Sequence, residues 1–396
     1  MEHTDALIIG GGPAGSVLSL LLAQKGWKVV LVDKNRFPRN KVCGEFLSPA
    51  MDGLLKKLGL FENFLAEAPV FIEEATFAFP GKQEIPVNLP PQAYGLSRDS
   101  LDTFLLDNAR QRGVKVLELH EIKQLHHDAY GFTVHAWNEE SQEFRLFHAG
   151  TVINASGQNN RFQSRAIFSK QPSLRKIGFK AHFEGIETDR AVKLFFFDGG
   201  YLGLVKIENG LTNLCGIVKE SFLKKHAFSF DSFLTEASAQ NPALWKILKN
   251  ARRRTDWYSC GPVIHGTGIA YSDKVFHVGD SLSFLEPFFG QGMTFAVASA
   301  FLLVGVLGKE VPPYGELDKL GKIYKRTVKK FYKKKRRFGK LLPLFERFQA
   351  FAAFKPLLSF LIREACALPE LPKEEESLVS RLAQPPASPR TTPAVR

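Results

Sequence analysis

The chain has 396 residues, 44% of them hydrophobic and 23% charged, with 53 Lys and Arg against 40 Asp and Glu, and four cysteines. That excludes a disordered chain and gives enough material for two or more domain cores, while scattered cysteines without a C-x-x-C pair exclude a disulfide scaffold and a zinc site of that kind and fit a reducing cytoplasm. The net charge of +13 is local, because Lys319 to Lys340 holds twelve basic residues and no acid, leaving 41 basic against 40 acidic residues elsewhere.

The run Ala6-Leu7-Ile8-Ile9, closed by glycine, predicts a fully buried strand, and Ala14 to Gln24 repeats apolar residues at helical spacing. Nothing basic or apolar precedes the strand in the manner of a signal segment, so the expectation is a cytoplasmic protein. Between strand and helix, Gly10-x-Gly12-x-x-Gly15 supplies a tight turn, a close backbone approach to a pyrophosphate and close helix-on-strand packing. Pro13 suits a helix start, whose free N–H groups and dipole favour phosphate. A second strand, Lys28 to Val32, ends at Asp33, the distance from the glycines at which an acid bonds a ribose hydroxyl. Strand, helix, strand and acid in register predict a dinucleotide-binding unit.

A basic loop, Lys34 to Glu45, ends on Cys43-Gly44-Glu45, and helix resumes near Ser48. Val70 to Phe79 and Gln83 to Leu89 read as strands, and Ser97 or Asp99 can cap a helix from Asp99 to Arg112. Strands near Val114, Gly131 to Trp137 and Phe144 to Phe147 lead to a buried strand ending in Asn154-Ala155-Ser156-Gly157. Lys176 to Val218 alternates strands with glycine turns and predicts an antiparallel sheet, inserted rather than appended. Helices at Phe230 to Glu236 and Ala243 to Asn250 precede a short strand ending in Gly279-Asp280. Pro287 to Gly308 is uncharged, but Gly290, Gln291, Gly292, Thr294 and Ser299 make it a buried helix rather than a span.

Together, Gly10-x-Gly12-x-x-Gly15, Arg98 before a helix, Ala155-Ser156-Gly157, and Gly279-Asp280 followed by Pro287-x-x-Gly290-x-Gly292 resemble the FAD-dependent aromatic hydroxylase superfamily, which includes p-hydroxybenzoate hydroxylase and geranylgeranyl reductases. The resemblance spans roughly residues 1 to 305 and implies an α/β chain. Its discontinuous Rossmann-type FAD-binding domain would take 1–69, 93–166 and 269–310, and an inserted antiparallel-sheet substrate domain 70–92 and 167–268. Basic and apolar C-terminal helices would follow over 311–368, then a disordered tail over 369–396, where six prolines and few apolar residues cannot offset ordering.

The resemblance implies FAD held by Gly10, Gly12, Ala14, Gly15, Asp33, Arg98, Gly157, Gly279, Asp280, Pro287, Gly290 and Gly292, with NAD(P)H as reductant. Asp33 corresponds to the acid on the adenosine ribose and Asp280 to the acid on the ribityl chain. Gly290 and Gly292 open a helix whose positive end faces the flavin's pyrimidine edge. Ser156-Gly157 replaces the family's D-G turn, and Arg161 and Arg165 follow it. Arg39 to Glu45 is similar to the reductase branch, which puts Cys43, Glu45 and Tyr201 forward as catalytic. Cys43 is either a small buried hydrophobe or a thiol made reactive by Lys41 and Arg39, and Glu45 either a turn residue or a group facing the flavin.

Lipid-reducing relatives carry Y-x-W-x-F-P where this chain has Tyr201-Leu202-Gly203-Leu204-Val205-Lys206, which argues against a geranylgeranyl substrate. The absence of W-x-W-x-I-P argues against a flavin halogenase. The expected chemistry is monooxygenation of a hydrophobic or aromatic compound ahead of double-bond reduction, with a non-catalytic flavoprotein as the third reading. His182 and His265 read as structural. Leu320, Ile323, Tyr324, Thr327, Val328, Phe331 and Tyr332 make an apolar stripe on a helix whose other faces are basic, fit either to close the substrate domain or to meet an anionic membrane or an acidic carrier. No nucleic-acid reading motif accompanies that charge.

Overall fold

The structure is a computed structural model that describes residues 1–81, 83–158, 175–263, 266–267, 269–284 and 287–339, with residues 356, 359 and 371. Arg161, Arg165, His265 and the tail from Pro369, apart from Leu371, lie outside the described residues, as does nearly all of the apolar stretch beyond Pro343.

The chain opens with β1 (Glu2–Ile9), α1 (Pro13–Gln24), β2 (Val29–Val32), β3 (Phe46–Leu47), α2 (Met51–Leu58), α3 (Phe61–Ala66), β4 (Val70–Ala78), β5 (Ile85–Gly95) and α4 (Arg98–Gln111). Next come β6 (Lys115–Leu117), β7 (His120–His127), β8 (Phe132–Asn138), β9 (Glu143–Asn154), β10 (Lys176–Glu184), β11 (Ala191–Phe197), β12 (Gly200–Lys206) and β13 (Thr212–Lys219). Three helices, α5 (Glu220–Lys225), α6 (Phe230–Gln240) and α7 (Pro242–Leu248), precede β14 (Arg252–Arg253), β15 (Tyr258–Val263), β16 (Gly266–Thr267), β17 (Tyr271–Ser272), β18 (Val275–His277) and β19 (Ser283–Phe284). The long helices α8 (Gly292–Leu307) and α9 (Leu317–Gly339) close the described chain.

The first sheet runs β17-β18-β9-β1-β2-β6, with β1 parallel to both β2 and β9 and with β7 and β8 added beyond β9. Residues 6–9 are almost fully buried on both faces, which is why they read as an unbroken apolar run rather than an alternating one. α1 and α8 pack together over this sheet, and α4 lies against α1. The stretch expected as two separate strands, Phe144 to Phe147 and Val152 to Asn154, is the single strand β9: its start pairs with β8 and its end with β1 and β18.

The second sheet runs β14-β10-β13-β12-β11-β4-β5-β3, with β15 also on β10. It is antiparallel apart from the β11–β4 pair, which is parallel. Both faces of β11 are covered. Phe195 and Phe197 point to the core beneath α6 and α7, while Val192, Leu194 and Phe196 join Phe77, Val205 and Phe288 on the opposite face. Period-two alternation delivers successive side chains to different cores. β3, from the loop expected to stay with the nucleotide fold, joins this second sheet through Phe46 and Leu47 on β5.

α4 is capped by Ser97, whose hydroxyl accepts from the Ser100 amide at 3.1 Å, a contact of about 1 kcal/mol. Glu208, in the turn after β12, accepts from the Ser97 amide at 2.9 Å and from the Ser100 hydroxyl at 2.7 Å, so the cap also ties the second sheet to the first domain. The apolar stripe of α9 does not close the substrate domain. Leu320, Tyr324, Phe331 and Tyr332 are buried in the nucleotide-domain core, with Phe331 and Tyr332 against Phe295 of α8 and Tyr324 against Phe276 of β18.

Candidate active site

At the nucleotide end, Gly10 has φ +108° and a Cβ on it would lie 2.6 Å from the Ala155 carbonyl oxygen. A Cβ on Gly15 would lie 1.9 Å from the Gly10 oxygen, so α1 touches the turn only because residue 15 has no side chain. No side chain caps α1 at Gly12, which leaves its first amides free for an anion. Above Gly12 the nearest atoms are guanidinium nitrogens of Arg39 and Arg98, both 3.8 Å from where a Cβ would stand. Glycine turn, uncapped helix and two cations form a cradle that fits a pyrophosphate.

Asp33 accepts from the Gly11 amide at 2.7 Å and the Asn35 amide at 2.8 Å, which fixes the carboxylate at the end of β2. Arg98 is buried and holds Asp102 through two bonds, Nε to Oδ1 at 2.8 Å and Nη2 to Oδ2 at 2.6 Å. Burial opposes its charge, but Asp102 outweighs burial and keeps the guanidinium protonated. Arg39 spans the two acids, 3.2 Å from Asp102 and 3.6 Å from Asp33, and its buried Nε has no partner among the described residues. Arg39 was not among the sequence candidates for the cofactor; its place depends on the fold of an irregular loop.

Glu45 has a task other than facing a flavin. It is fully buried with φ 54°, and its carboxylate accepts from Lys180 Nζ, from His182 Nε2 at 2.7 Å and from the Arg98 amide at 2.9 Å. Burial pushes the carboxyl up, yet His182 and Lys180 together bring it below the usual range. The residue therefore staples the loop to β10 and to the start of α4. His182 is the satisfied histidine that the sequence predicts, with this carboxylate as its partner.

Cys43 Sγ lies 3.4 Å from the Glu45 amide and 3.8 Å from Met293 Sδ, and its carbonyl accepts from Asn213 at 2.9 Å. Lys41 is a further residue that the sequence candidates omit. Its Nζ stands 3.1 Å from the position a Gly157 Cβ would take, and burial with the neighbouring Arg98 pushes its pKa down against the pull of Asp280. Gly157 (φ +84°) and Gly279 (φ +64°) sit at the two strand-end turns, and a Gly279 Cβ would meet Ala14 Cβ at 2.9 Å. These contacts bring Ala14, Gly157, Gly279 and, beside it in sequence, Asp280 to the ends of neighbouring strands. Among the described residues no donor pairs with the Asp280 carboxylate, which leaves it free for a ligand hydroxyl.

The far end of the cradle is different. Gly290 (φ +62°) packs on Phe46, whereas a Cβ on Gly292 would meet nothing within 4 Å. Gln291 is 3% exposed and, among the described residues, neither of its side-chain polar atoms has a partner, an arrangement costly unless a ligand supplies one. Open space at Gly292, the orphaned Gln291 amide and the N-terminus of α8 fit the polar edge of a flavin.

Against that edge lies a cavity of about 820 Å³, open mouth included, lined among others by Phe46, Phe77, Leu194, Tyr201, Phe288 and Gly203. Among the described residues no charged side chain lines it. Tyr201 meets Phe288 edge-on at 5.7 Å between ring centres. Pro287, Gly290, Gly44 and Cys215 also line it, so the cavity joins the second sheet to the flavin edge and the Cys43-Gly44-Glu45 loop. Burial pushes the Cys215 thiol well up. Among the described residues no group of His, Cys, Asp and Glu could hold a metal ion.

Comparison with known proteins bears on the fold. Residues 3–192 match the family described as FAD binding domain. Tryptophan 2-halogenase of Chondromyces crocatus is 24% identical over 337 residues, 80% of this chain and 63% of that protein. Flavin-dependent halogenase armH1 of Armillaria mellea is 24% identical over 345 residues, 78% of this chain and 66% of that protein, so the chain spans less than two thirds of either relative. The solved structure of flavin-dependent brominase Bmp2 superposes with a TM-score of 0.76 at 20% identity, covering 92% of this chain and 94% of that one. The fold is thus a mixed α/β fold shared with flavin halogenases, and residues 3–192 are similar to an FAD-binding domain. The missing W-x-W-x-I-P run did not set the fold apart from that of halogenases as expected.

Proposed function

We propose that this protein is a flavin-dependent enzyme that uses molecular oxygen to oxidise an apolar, electron-rich small molecule, with hydroxylation as the first reading. The observation that carries the proposal is the cavity walled by the apolar and aromatic side chains Phe77, Leu194, Tyr201 and Phe288 and opening on Pro287 to Gly290, where a flavin edge fits. When reduced, FAD supplies the two electrons with which such enzymes activate oxygen.

The chain's own residues bind, orient and exclude water. Arg39, Arg98 and the first turn of α1 hold the pyrophosphate, Asp33 takes a ribose hydroxyl, and Asp280 a ribityl hydroxyl. The α8 N-terminus and the Gln291 amide meet the pyrimidine edge, where the helix dipole favours negative charge. Phe77, Leu194 and Phe288 keep the reacting face dry. Lys41 Nζ, beside the Gly157 turn, adds a further cation to the cradle.

Halogenation is the second reading, supported by the relatives' names. It asks for halide and for a group to pass on the oxidised halogen. No lysine lines the cavity among the described residues, and the Lys180 ammonium is committed to Glu45, which is why hydroxylation comes first. NADH or NADPH is the reductant we assign, acting on this chain or through a separate reductase.

The test supplies FAD-loaded protein with NADH, NADPH or photoreduced FAD and a panel of alkyl phenols, polyketides and polyprenyl compounds, with and without oxygen and bromide. Oxygen-dependent gain of one oxygen atom supports hydroxylation, and bromide-dependent gain of one bromine supports halogenation. Gain of two hydrogens without oxygen would overturn both in favour of double-bond reduction.

A further inference from the structure

α9 divides its side chains cleanly. Leu320, Tyr324, Phe331 and Tyr332 are between 0% and 6% exposed, whereas Lys319, Lys322, Lys325, Arg326, Lys329, Lys330 and Lys333 are all exposed. No carboxylate among the described residues forms a salt bridge with these seven, the nearest acid in sequence, Asp318, being held by Lys274 at 2.7 Å and Tyr271 at 2.9 Å. A solvated basic face is ordinarily balanced by interspersed acids. Here no acid is interspersed between Lys319 and Lys333.

The direction of the helix gives that face a position. Its first turns lie on β17, where Gly321 packs against the Tyr271 ring; Tyr324 then bonds the carbonyl of His277 at 3.0 Å, and Phe331 and Tyr332 reach Phe295 in the first turns of α8. The helix therefore climbs along α8 toward the end at which the uncharged cavity begins, and Lys329, Lys330 and Lys333 ride at that end.

We propose that the basic face of α9 docks the enzyme on an anionic membrane surface, beside the cavity, so that an apolar substrate is taken from lipid rather than from water. The role in substrate supply rests on the functional reading above; the docking itself does not. The chemistry recognised is a sheet of anionic headgroups, which seven cations on one helix face, none with a carboxylate partner among the described residues, match by charge. Attachment is electrostatic and not by insertion, because the apolar stripe is spent on α8 and β18, and no helix among the described residues is long and apolar enough to cross a membrane. It is accordingly salt-sensitive, since screening shortens to about 8–10 Å at physiological ionic strength.

The experiment sediments the FAD-loaded full chain with phosphatidylcholine vesicles and with vesicles containing phosphatidylglycerol, at low and high salt. A variant changes Lys319, Lys322, Arg326, Lys329, Lys330 and Lys333 to Gln; Lys325 is kept because its ammonium lies over the Tyr271 ring at 5.7 Å. Binding to the anionic vesicles alone, weakened at least tenfold in the variant and by salt, is expected, each lysine or arginine near such a surface contributing roughly a few-fold. Flavin content, melting temperature and turnover of a water-soluble substrate should be unchanged in the variant. No binding at low salt, or equal binding by the variant, overturns the proposal. So does displacement from vesicles by an equal charge concentration of oligonucleotide or acidic protein, which would make one of those the partner. Because sedimentation reads no turnover, a wrong reaction would leave this result standing.

Discussion

At the nucleotide end of the cradle a methyl group on Gly15 would sit 1.9 Å from the Gly10 carbonyl oxygen, and one on Gly10 2.6 Å from that of Ala155. At the substrate end a methyl on Gly292 would meet nothing within 4 Å, and one on Gly203 only two carbonyl oxygens, at 3.8 and 3.9 Å. Glycines of the first kind let one piece of backbone touch another, and glycines of the second kind leave space for something that is not protein. The motif is the same letter in both places, but the cost of replacing it differs, and that difference separates what holds the fold from what shapes the ligand.

Gly15→Ala should have the largest effect, because α1 must move off the turn to admit the methyl. A loss of about 3 kcal/mol in urea unfolding, together with loss of flavin, is expected. A stable, FAD-replete variant would break the distinction.

Glu45→Gln comes next. It leaves Lys180 and His182 buried without their carboxylate, an omission that costs roughly 3 kcal/mol when a buried partner is removed. The sign with pH follows from the depressed folded pKa: this stabilisation is present above the ordinary carboxylate range and is lost as pH falls through the folded value. The variant's melting temperature should therefore depend less on pH in the acid range than that of the parent.

A third effect sits at the end of β18. Burial lowers the pKa of His277 from 6.5 to about 4, and its ring is bonded by Asn154 and Ser272 at 3.2 Å. Between those values the unfolded chain binds a proton that the folded one refuses, so stability is full above pH 6.5 and declines toward pH 4, by about 3 kcal/mol in all. His277→Asn should flatten that part of the curve in calorimetry. An unchanged slope would assign the acid sensitivity elsewhere.

Asp280→Ala should separate ligand from fold. With no described donor on its carboxylate, its removal is expected to weaken FAD affinity about tenfold, the loss of one charge-assisted hydrogen bond, while the apoprotein melts unchanged. Equal losses in apoprotein and holoprotein would make it a structural acid. The smallest stability change is expected for Gly203→Trp, within about 1 kcal/mol, since the ring enters open cavity rather than backbone. Flavin content should hold while turnover of bulky substrates falls relative to small ones, and uniform loss across substrates would argue against Gly203 as a wall of the cavity.

The sequence by itself determined the nucleotide unit, because each of its parts is local. Four apolar residues, three glycines at fixed spacing, a helix and an acid occupy the first 33 positions, and turn geometry and helix dipole act within a few residues of one another. It also located the inserted antiparallel sheet and the unbalanced charge of α9. Only the tertiary structure decided which groups meet. Glu45 lies between a glycine and a phenylalanine in an irregular loop, and nothing local shows that Lys180 and His182, from a strand well over a hundred residues later, take its two oxygens. Arg39, Lys41 and Gln291 went unselected for the same reason, since a lone polar residue acquires a task only when folding removes its water and brings distant groups within reach. The apolar stripe of α9 was visible as a stripe, but its period gives a face and not the surface that face meets; packing against α8 and β18 turned the stripe inward and left the lysines outside.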